Sequence, residues 1–327
     1  MTESTSQAPW QAQRPPLEPN TQDFVDGLAA AGSEVNELAI DTARAALVAM
    51  QAKPTGKPVT RSEVVTAPVG PRGSVILRLV RPKEAAGPLP VVMLFHGGGW
   101  ALGDGTTHDR LARELAVGIR AAVVIVEFSR TPESQFPIPV EEAYAATKHV
   151  VENAAAFGLE GSRIAVVGDG SGGNIAAAVT LLCKERGGPK IAFQVLFYPI
   201  TGANFDTASY RIFENGPWLT KRAMQRYWAA YIPNEAEREV ITATPLNATI
   251  DQLRGLPDAL IITAESDILR DEGEAYARKL CEANVRATCV RYLGTIHDFV
   301  MLNAIADTPA ARGAITQATY ALRGALD

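Results

Sequence analysis

Most of the chain alternates between short apolar runs and helix-like segments, and this alternation restricts the fold more than any other feature. Eight β-rich runs are predicted to be strands: Glu63–Thr66, Ser74–Val80, Val91–Phe95, Ala122–Phe128, Arg163–Val167, Phe193–Phe197, Ala259–Thr263 and Thr288–Tyr292. From the third onward most are continuously apolar, which is typical of parallel strands that are buried on both faces. The pattern therefore predicts an α/β fold with an eight-stranded, mostly parallel, doubly wound sheet.

Helical periodicity fills the segments between these strands. Candidate crossover helices span His108–Gly118, Val140–Ala156, Gly173–Arg186 and Asp271–Ala283, and Asp307–Leu326 closes the chain. Before the first strand, apolar residues recur at spacings of three and four from Thr21 to about Met50. This spacing predicts two amphipathic helices that are separated near Gly32-Ser33.

The stretch Gly202–Asn247 interrupts the alternation, because it is rich in aromatic and charged residues and contains no buried-strand run. We interpret it as an insertion that forms a helical cap together with the N-terminal helices. Such a cap would cover the carboxyl ends of the strands, where open α/β sheets bind ligands. The predicted organisation is N-terminal cap helices at 1–55, a first core part at 56–201, a cap insertion at 202–247 and a second core part at 248–327.

Composition narrows the classes of function. The 327 residues carry a formal net charge of -5, and the absence of a Lys/Arg run argues against a nucleic-acid partner. The N-terminus has no signal-peptide pattern and no apolar stretch is long enough to span a membrane, so we expect a cytoplasmic protein with no membrane partner. The three cysteines have no CxxC spacing, which predicts neither a disulfide framework nor a metal site. No nucleotide-binding motif is present, so no cofactor is predicted.

The strongest local motif is His96-Gly97-Gly98-Gly99-Trp100, directly after the predicted strand Val91–Phe95. Glycine lets the main chain turn sharply and brings its N–H groups close to a ligand, so this loop is suited to stabilising an oxyanion. The alternative is a plain glycine-rich turn.

A second motif lies at Ile164–Asn174, which has the sequence IAVVGDGSGGN and is followed by an apolar helical run. The pattern predicts a strand, a sharp turn and a helix. A turn of this kind can hold a serine in a strained conformation at the helix N-terminus, with its hydroxyl exposed.

Together the two motifs resemble those of the bacterial hormone-sensitive-lipase-like (family IV) carboxylesterases of the α/β-hydrolase superfamily. The resemblance covers nearly the whole chain. Phe128–Glu133 is similar to the family's Tyr-Arg-Leu-Ala-Pro-Glu, and Phe136-Pro137 follows at the usual place. The resemblance implies an α/β-hydrolase fold, a serine esterase acting on small acyl esters, and self-association as a homo-oligomer.

The same resemblance assigns an acid and a base. Glu265–Gly273 is similar to the segment that carries the family's catalytic aspartate, which falls on Asp267. Tyr292–Phe299 is similar to the catalytic-histidine turn, which falls on His297. The order of nucleophile, acid and base along the chain is the one expected for this fold. Taken alone, Asp267 is equally suited to cap a helix, and His297 is one of four histidines.

The predicted turn departs from the family pattern at its central position. The pattern reads Gly-Asp-Ser-x-Gly-Gly-Asn, and Gly168, Asp169 and the run Gly172–Asn174 keep its register, so the family nucleophile position is Gly170. Ser171 occupies the next position. A shift of one residue at such a turn swings a side chain by roughly 100°, enough to move a hydroxyl away from the catalytic histidine.

Three accounts of this turn are open from the sequence. In the first, Ser171 is a displaced nucleophile and the covalent mechanism is retained. In the second, Gly170 leaves space for a water or a substrate group, and His297 with Asp267 acts as a general base without an acyl-enzyme. In the third, hydrolysis is disabled or diverted, leaving a ligand-binding protein, a lyase or a cyclase. For ester hydrolysis the predicted oxyanion donors are the amides of Gly97, Gly98 and Ser171.

A few other residues are given a role or excluded from one. Trp100, Phe213 and Trp218 are predicted to line a substrate pocket, although aromatic residues of an insertion often form its own small core. His108 and His149 are predicted to be solvated helix residues without a function.

Overall fold

The strands form one eight-stranded sheet in the computed structural model, which describes residues 14–32, 35–52 and 55–327. The strands are β1 Thr60–Ala67, β2 Val75–Pro82, β3 Leu89–Phe95, β4 Ala122–Glu127, β5 Leu159–Asp169, β6 Phe193–Phe197, β7 Asp258–Ser266 and β8 Ala287–Ile296. Their order in the sheet is β1-β2-β4-β3-β5-β6-β7-β8. Strands β3 to β8 are mutually parallel, whereas β2 runs antiparallel to both of its neighbours. The predicted mostly parallel sheet is confirmed.

Ten α-helices accompany the sheet within the described residues. They are α1 Pro19–Ala30, α2 Ile40–Gln51, α3 Asp109–Ile119, α4 Ile138–Glu152, α5 Ser171–Glu185, α6 Ala208–Ile212, α7 Lys221–Tyr231, α8 Ile250–Leu253, α9 Arg270–Glu282 and α10 Pro309–Leu326. The predicted crossover helices and the closing helix correspond to α3, α4, α5, α9 and α10, with ends that differ by a few residues. None of the helices in the described residues is both long and apolar enough to cross a membrane.

The apolar runs in the sequence become central strands because they are covered on both faces. Every residue of β3 is buried, as are the first five residues of β4. In contrast, β8 lies at an edge of the sheet and only its last two residues are buried. Burial of continuous apolar strands between helices is the main source of stability in such a fold.

Two segments outside the core contact each other. Residues 202–247 contain helices α6 and α7 and no strand, and α7 lies beside the turn between α1 and α2, where Arg226 donates to the carbonyl oxygens of Glu37 and Leu38. The predicted break at Gly32-Ser33 falls between α1 and α2, although Ser33 itself is outside the described residues. Residues 1–13, 34 and 53–54 of the predicted N-terminal cap are also outside them.

Candidate active site

The motifs predicted from the sequence meet at the carboxyl ends of neighbouring parallel strands. The glycine-rich loop follows β3, the sharp turn follows β5, Asp267 follows β7 and His297 follows β8. Ligands bind at this edge in open α/β sheets because the connecting loops there project beyond the strands. The parallel topology therefore brings together residues that are up to about 200 positions apart, and each lies at the end of a buried strand.

The turn between β5 and α5 is tight and depends on small residues. A Cβ atom at Gly172 would collide with the carbonyl group of Phe95 at the end of β3. Gly170 has φ 52° and ψ -115°, a conformation that side-chain-bearing residues adopt only under strain. This is the strained strand-to-helix geometry that the sequence predicts.

The side-chain direction at position 170 identifies which residue faces the histidine. A Cβ atom built on Gly170 would lie 3.3 Å from Nε2 of His297 and 3.5 Å from its Cε1. The Gly170 main chain is held by its N–H bond to the Phe197 carbonyl, at 2.9 Å. Position 170 is thus directed at the imidazole by main-chain geometry.

The hydroxyl of Ser171 lies in a different environment. It accepts a hydrogen bond of 3.0 Å from the main-chain N–H of Trp100, in the glycine-rich loop, and the residue is buried. Within the described residues no hydrogen bond joins Ser171 to His297. Ser171 therefore ties the turn to the glycine-rich loop in this conformation.

His297 is oriented by a carboxylate, as in a catalytic triad. Its Nδ1 lies 2.7 Å from Oδ2 of Asp267, and the other oxygen of Asp267 accepts the N–H of Leu269. This hydrogen bond keeps a proton on Nδ1, and the other ring nitrogen, Nε2, faces position 170. Burial opposes the positive charge of the imidazole, but Asp267 and Asp298 outweigh it and raise the pKa of His297 to about 9.

Asp298 lies on the reactive side of the imidazole and was not predicted from the sequence. Its Oδ1 is 3.3 Å from Nε2 of His297, while its Oδ2 accepts a hydrogen bond of 2.8 Å from Nε1 of Trp218. The only sequence signal was its place directly after the predicted base. The contact with Trp218, 80 residues away, follows from the tertiary fold alone.

The glycine-rich loop is held by a buried pair formed by Asp169 and His108. Oδ1 of Asp169 accepts the N–H of Gly97 at 2.9 Å, and Oδ2 lies 3.2 Å from Nε2 of His108. Burial opposes a charge on His108, but the Asp169 carboxylate outweighs it and raises the pKa of His108. The prediction that His108 is solvated is wrong, since the residue is only 1% exposed; His149 is half-buried.

The hydrogen bonds of the glycine-rich loop and of the turn decide which main-chain N–H groups are free to act as oxyanion donors. The Gly97 N–H is already engaged with Asp169. In the described part of the chain, the N–H groups of Gly98 and Ser171 have no hydrogen-bond acceptor. Two of the three amides predicted from the sequence are thus available to a ligand.

The aromatic residues predicted to line a pocket lie in unlike surroundings. Trp100 is fully buried, stacked on Tyr231 with ring centroids 4.2 Å apart and in edge contact with Trp228. Phe213 is also buried, with the guanidinium of Arg270 over its ring. Trp218 alone of the three contacts the group beside His297, through Asp298.

Comparison with known proteins gives a consistent set of similarities. A family model described as alpha/beta hydrolase fold matches residues 92–301. The carboxylesterase NlhH of Mycobacterium tuberculosis is 36% identical over 288 residues, which cover 88% of this chain and 90% of that protein. A thermostable esterase from Pseudomonas putida is 43% identical with a TM-score of 0.92, over 97% of this chain and 99% of that one. A fungal esterase from Rhizomucor miehei is 38% identical with a TM-score of 0.90, over 96% and 98% of the two chains.

Proposed function

The chain belongs to the α/β-hydrolase family and is a carboxylesterase-like hydrolase, and on that premise we propose that it cleaves small acyl esters with a water molecule as the attacking group. In this proposal His297 activates the water beside Gly170, and no serine is acylated. The observation that carries the proposal is the direction of position 170, whose Cβ would lie 3.3 Å from Nε2 of His297. In the proposal, the oxygen of a water takes the place that the hydroxyl of a serine at position 170 would occupy.

The proposed reaction needs one proton acceptor and two amide donors. Nε2 of His297 takes a proton from the water as the water oxygen bonds to the ester carbonyl carbon. The N–H groups of Gly98 and Ser171 stabilise the negative charge that develops on the carbonyl oxygen. The bond to the alcohol oxygen then breaks, and His297 returns the proton to that oxygen. Asp267 stays ionised and holds the imidazole in place throughout.

The surroundings of Ser171 favour water over the displaced-serine account. Its hydroxyl is buried and accepts the Trp100 N–H, so attack on an ester would require that bond to break and the side chain to turn away from the loop. Breaking it would leave a buried main-chain donor unpaired, at a cost of about 1–3 kcal/mol. Ser171 is better suited to hold the oxyanion loop than to attack.

The segments 1–55 and 202–247 are proposed to cap this site. Support comes from Trp218, which belongs to the second segment and reaches Asp298 beside the base. The carbonyl of Trp218 accepts a hydrogen bond from Asn36, in the turn between the two N-terminal helices. A cap in this position would limit the size of the ester and exclude bulk water from the reacting atoms.

The first test is the hydrolysis of p-nitrophenyl acetate by the unmodified chain and by His297→Ala. General-base catalysis contributes about 10²–10⁴-fold, so the variant is expected to lose activity by about that factor in kcat. His149→Ala is the matched control, because His149 is on α4 and its side chain contacts Asn153, directly after that helix, and Phe157. Equal rates for the unmodified chain and His297→Ala would reject His297 as the base of a hydrolytic reaction and favour an ester-binding protein.

A further inference from the structure

We propose that Asp298 and Trp218 form a positioning pair for His297, through which the 202–247 segment controls the protonation and orientation of the base. The inference rests on the proposed role of His297 as the general base. Asp298 and Trp218 act through His297, and neither side chain accepts a proton in the reaction itself.

The geometry connects three side chains in series. Nε1 of Trp218 donates to Oδ2 of Asp298 at 2.8 Å, and Oδ1 of Asp298 lies 3.3 Å from Nε2 of His297. The Asp298 Oδ1 atom is buried and has no hydrogen-bond partner within the described residues. Its contact with Nε2 of His297 lacks hydrogen-bond geometry and becomes an ion pair when the imidazole is protonated.

Both ends of the pair are fixed by the main chain. Asp298 has a φ of 65°. Its main-chain carbonyl accepts the N–H groups of Met301 and Leu302, and these hydrogen bonds hold the turn that carries it. Trp218 has a φ of 68°, and its ring lies 5.7 Å from that of Phe24 on α1. A left-handed conformation is costly for a tryptophan and persists only where the surroundings enforce it.

The pair changes the electrostatics of the base. His297 has Asp267 at Nδ1 and Asp298 at Nε2, with Asp169 adding negative charge from the end of β5 and the Tyr198 ring in edge contact at 4.8 Å. An anion next to Nε2 stabilises the imidazolium. Because a protonated Nε2 cannot accept a proton from water, the position of Asp298 sets the pH at which His297 becomes available as a base.

The consequence is a link between the cap and the chemistry. With Trp218 in place, Asp298 is held against Nε2 and favours the protonated imidazole. Without the Trp218 N–H, the carboxylate loses one stabilising donor and is free to turn from the imidazole. Movement of the 202–247 segment would thus change the basicity of His297.

The test is an NMR titration of the imidazole in protein labelled at histidine, with the His297 signal assigned by its loss in His297→Ala. Asp298→Asn removes the charge and keeps the shape, so the His297 midpoint is expected to fall by about one pH unit. Trp218→Phe keeps the ring but removes the donor, and a smaller fall is expected. Trp228→Phe is the control, because the Trp228 Nε1 has no acceptor in the described residues.

An unchanged midpoint in both Asp298→Asn and Trp218→Phe would overturn the inference, as would an equal shift in Trp228→Phe. The pH dependence of p-nitrophenyl acetate hydrolysis separates this result from the proposed function. If the NMR midpoint falls and the rate profile moves with it, both the pair and the general base are supported. If the midpoint falls but the rate profile does not move, the pair is supported and the role of His297 as the base is rejected.

Discussion

At the scale of single residues, neighbouring positions 170 and 171 have opposite surroundings. Position 170 is directed at His297, whereas the Ser171 hydroxyl is bound to the N–H of Trp100. The sequence shows the departure at Gly170 and predicts that the Ser171 hydroxyl turns away from the histidine, but not its bond to Trp100, because that contact depends on the dihedral angles of the turn. The contacts of His108 were missed for a related reason, since its partner Asp169 is 61 residues away.

His108 provides a prediction at this scale. Its ring holds Asp169, which in turn holds the Gly97 N–H, so His108→Gln is expected to loosen the oxyanion loop and reduce kcat about tenfold, with a smaller change in KM. A buried polar group that loses its partner also costs about 1–3 kcal/mol of stability. Steady-state kinetics and thermal unfolding measure the two effects. A change confined to stability, with normal kcat at low temperature, would show that the pair has no effect on the loop's donors.

At the scale of an element, the connection from β5 to α5 combines strain with close packing. Gly172 passes against the end of β3, and Gly170 adopts a φ of 52°. Glycine relieves strain at position 170 that any other residue would impose, so the turn is more stable without a side chain there. The cost of a non-glycine residue in such a conformation is about 1–3 kcal/mol.

Substitutions at Gly170 therefore separate strain from chemistry. Both Gly170→Ala and Gly170→Ser are expected to lower the free energy of unfolding by about 1–3 kcal/mol. Gly170→Ala places a methyl group where we propose the water, so its esterase rate is expected to fall at least about tenfold. Gly170→Ser supplies a hydroxyl next to His297, so its rate is expected to rise by several orders of magnitude. Equal rates in all three proteins would mean that the attacking group is not at this position.

At the scale of the whole molecule, the alternation of apolar runs and helical segments was sufficient to predict the sheet. All eight predicted strands overlap observed ones, and the central ones, such as β3, are the continuous apolar runs that are buried on both faces. The strand order and the antiparallel direction of β2 did not follow from the runs. Long-range side-chain contacts, such as Trp218 with Asp298, also depend on how segments distant in sequence meet.

The most direct test of the central claim is to ask whether an acyl group ever becomes attached to the protein. The unmodified chain and Ser171→Ala are mixed with excess p-nitrophenyl acetate, quenched with acid during turnover and analysed by peptide mass spectrometry. Water attack beside Gly170 predicts turnover by the unmodified chain, no acetyl group on the peptide that contains Ser171, and retained turnover in Ser171→Ala. An acetylated Ser171, together with loss of turnover in Ser171→Ala, would contradict the account and establish a displaced serine nucleophile.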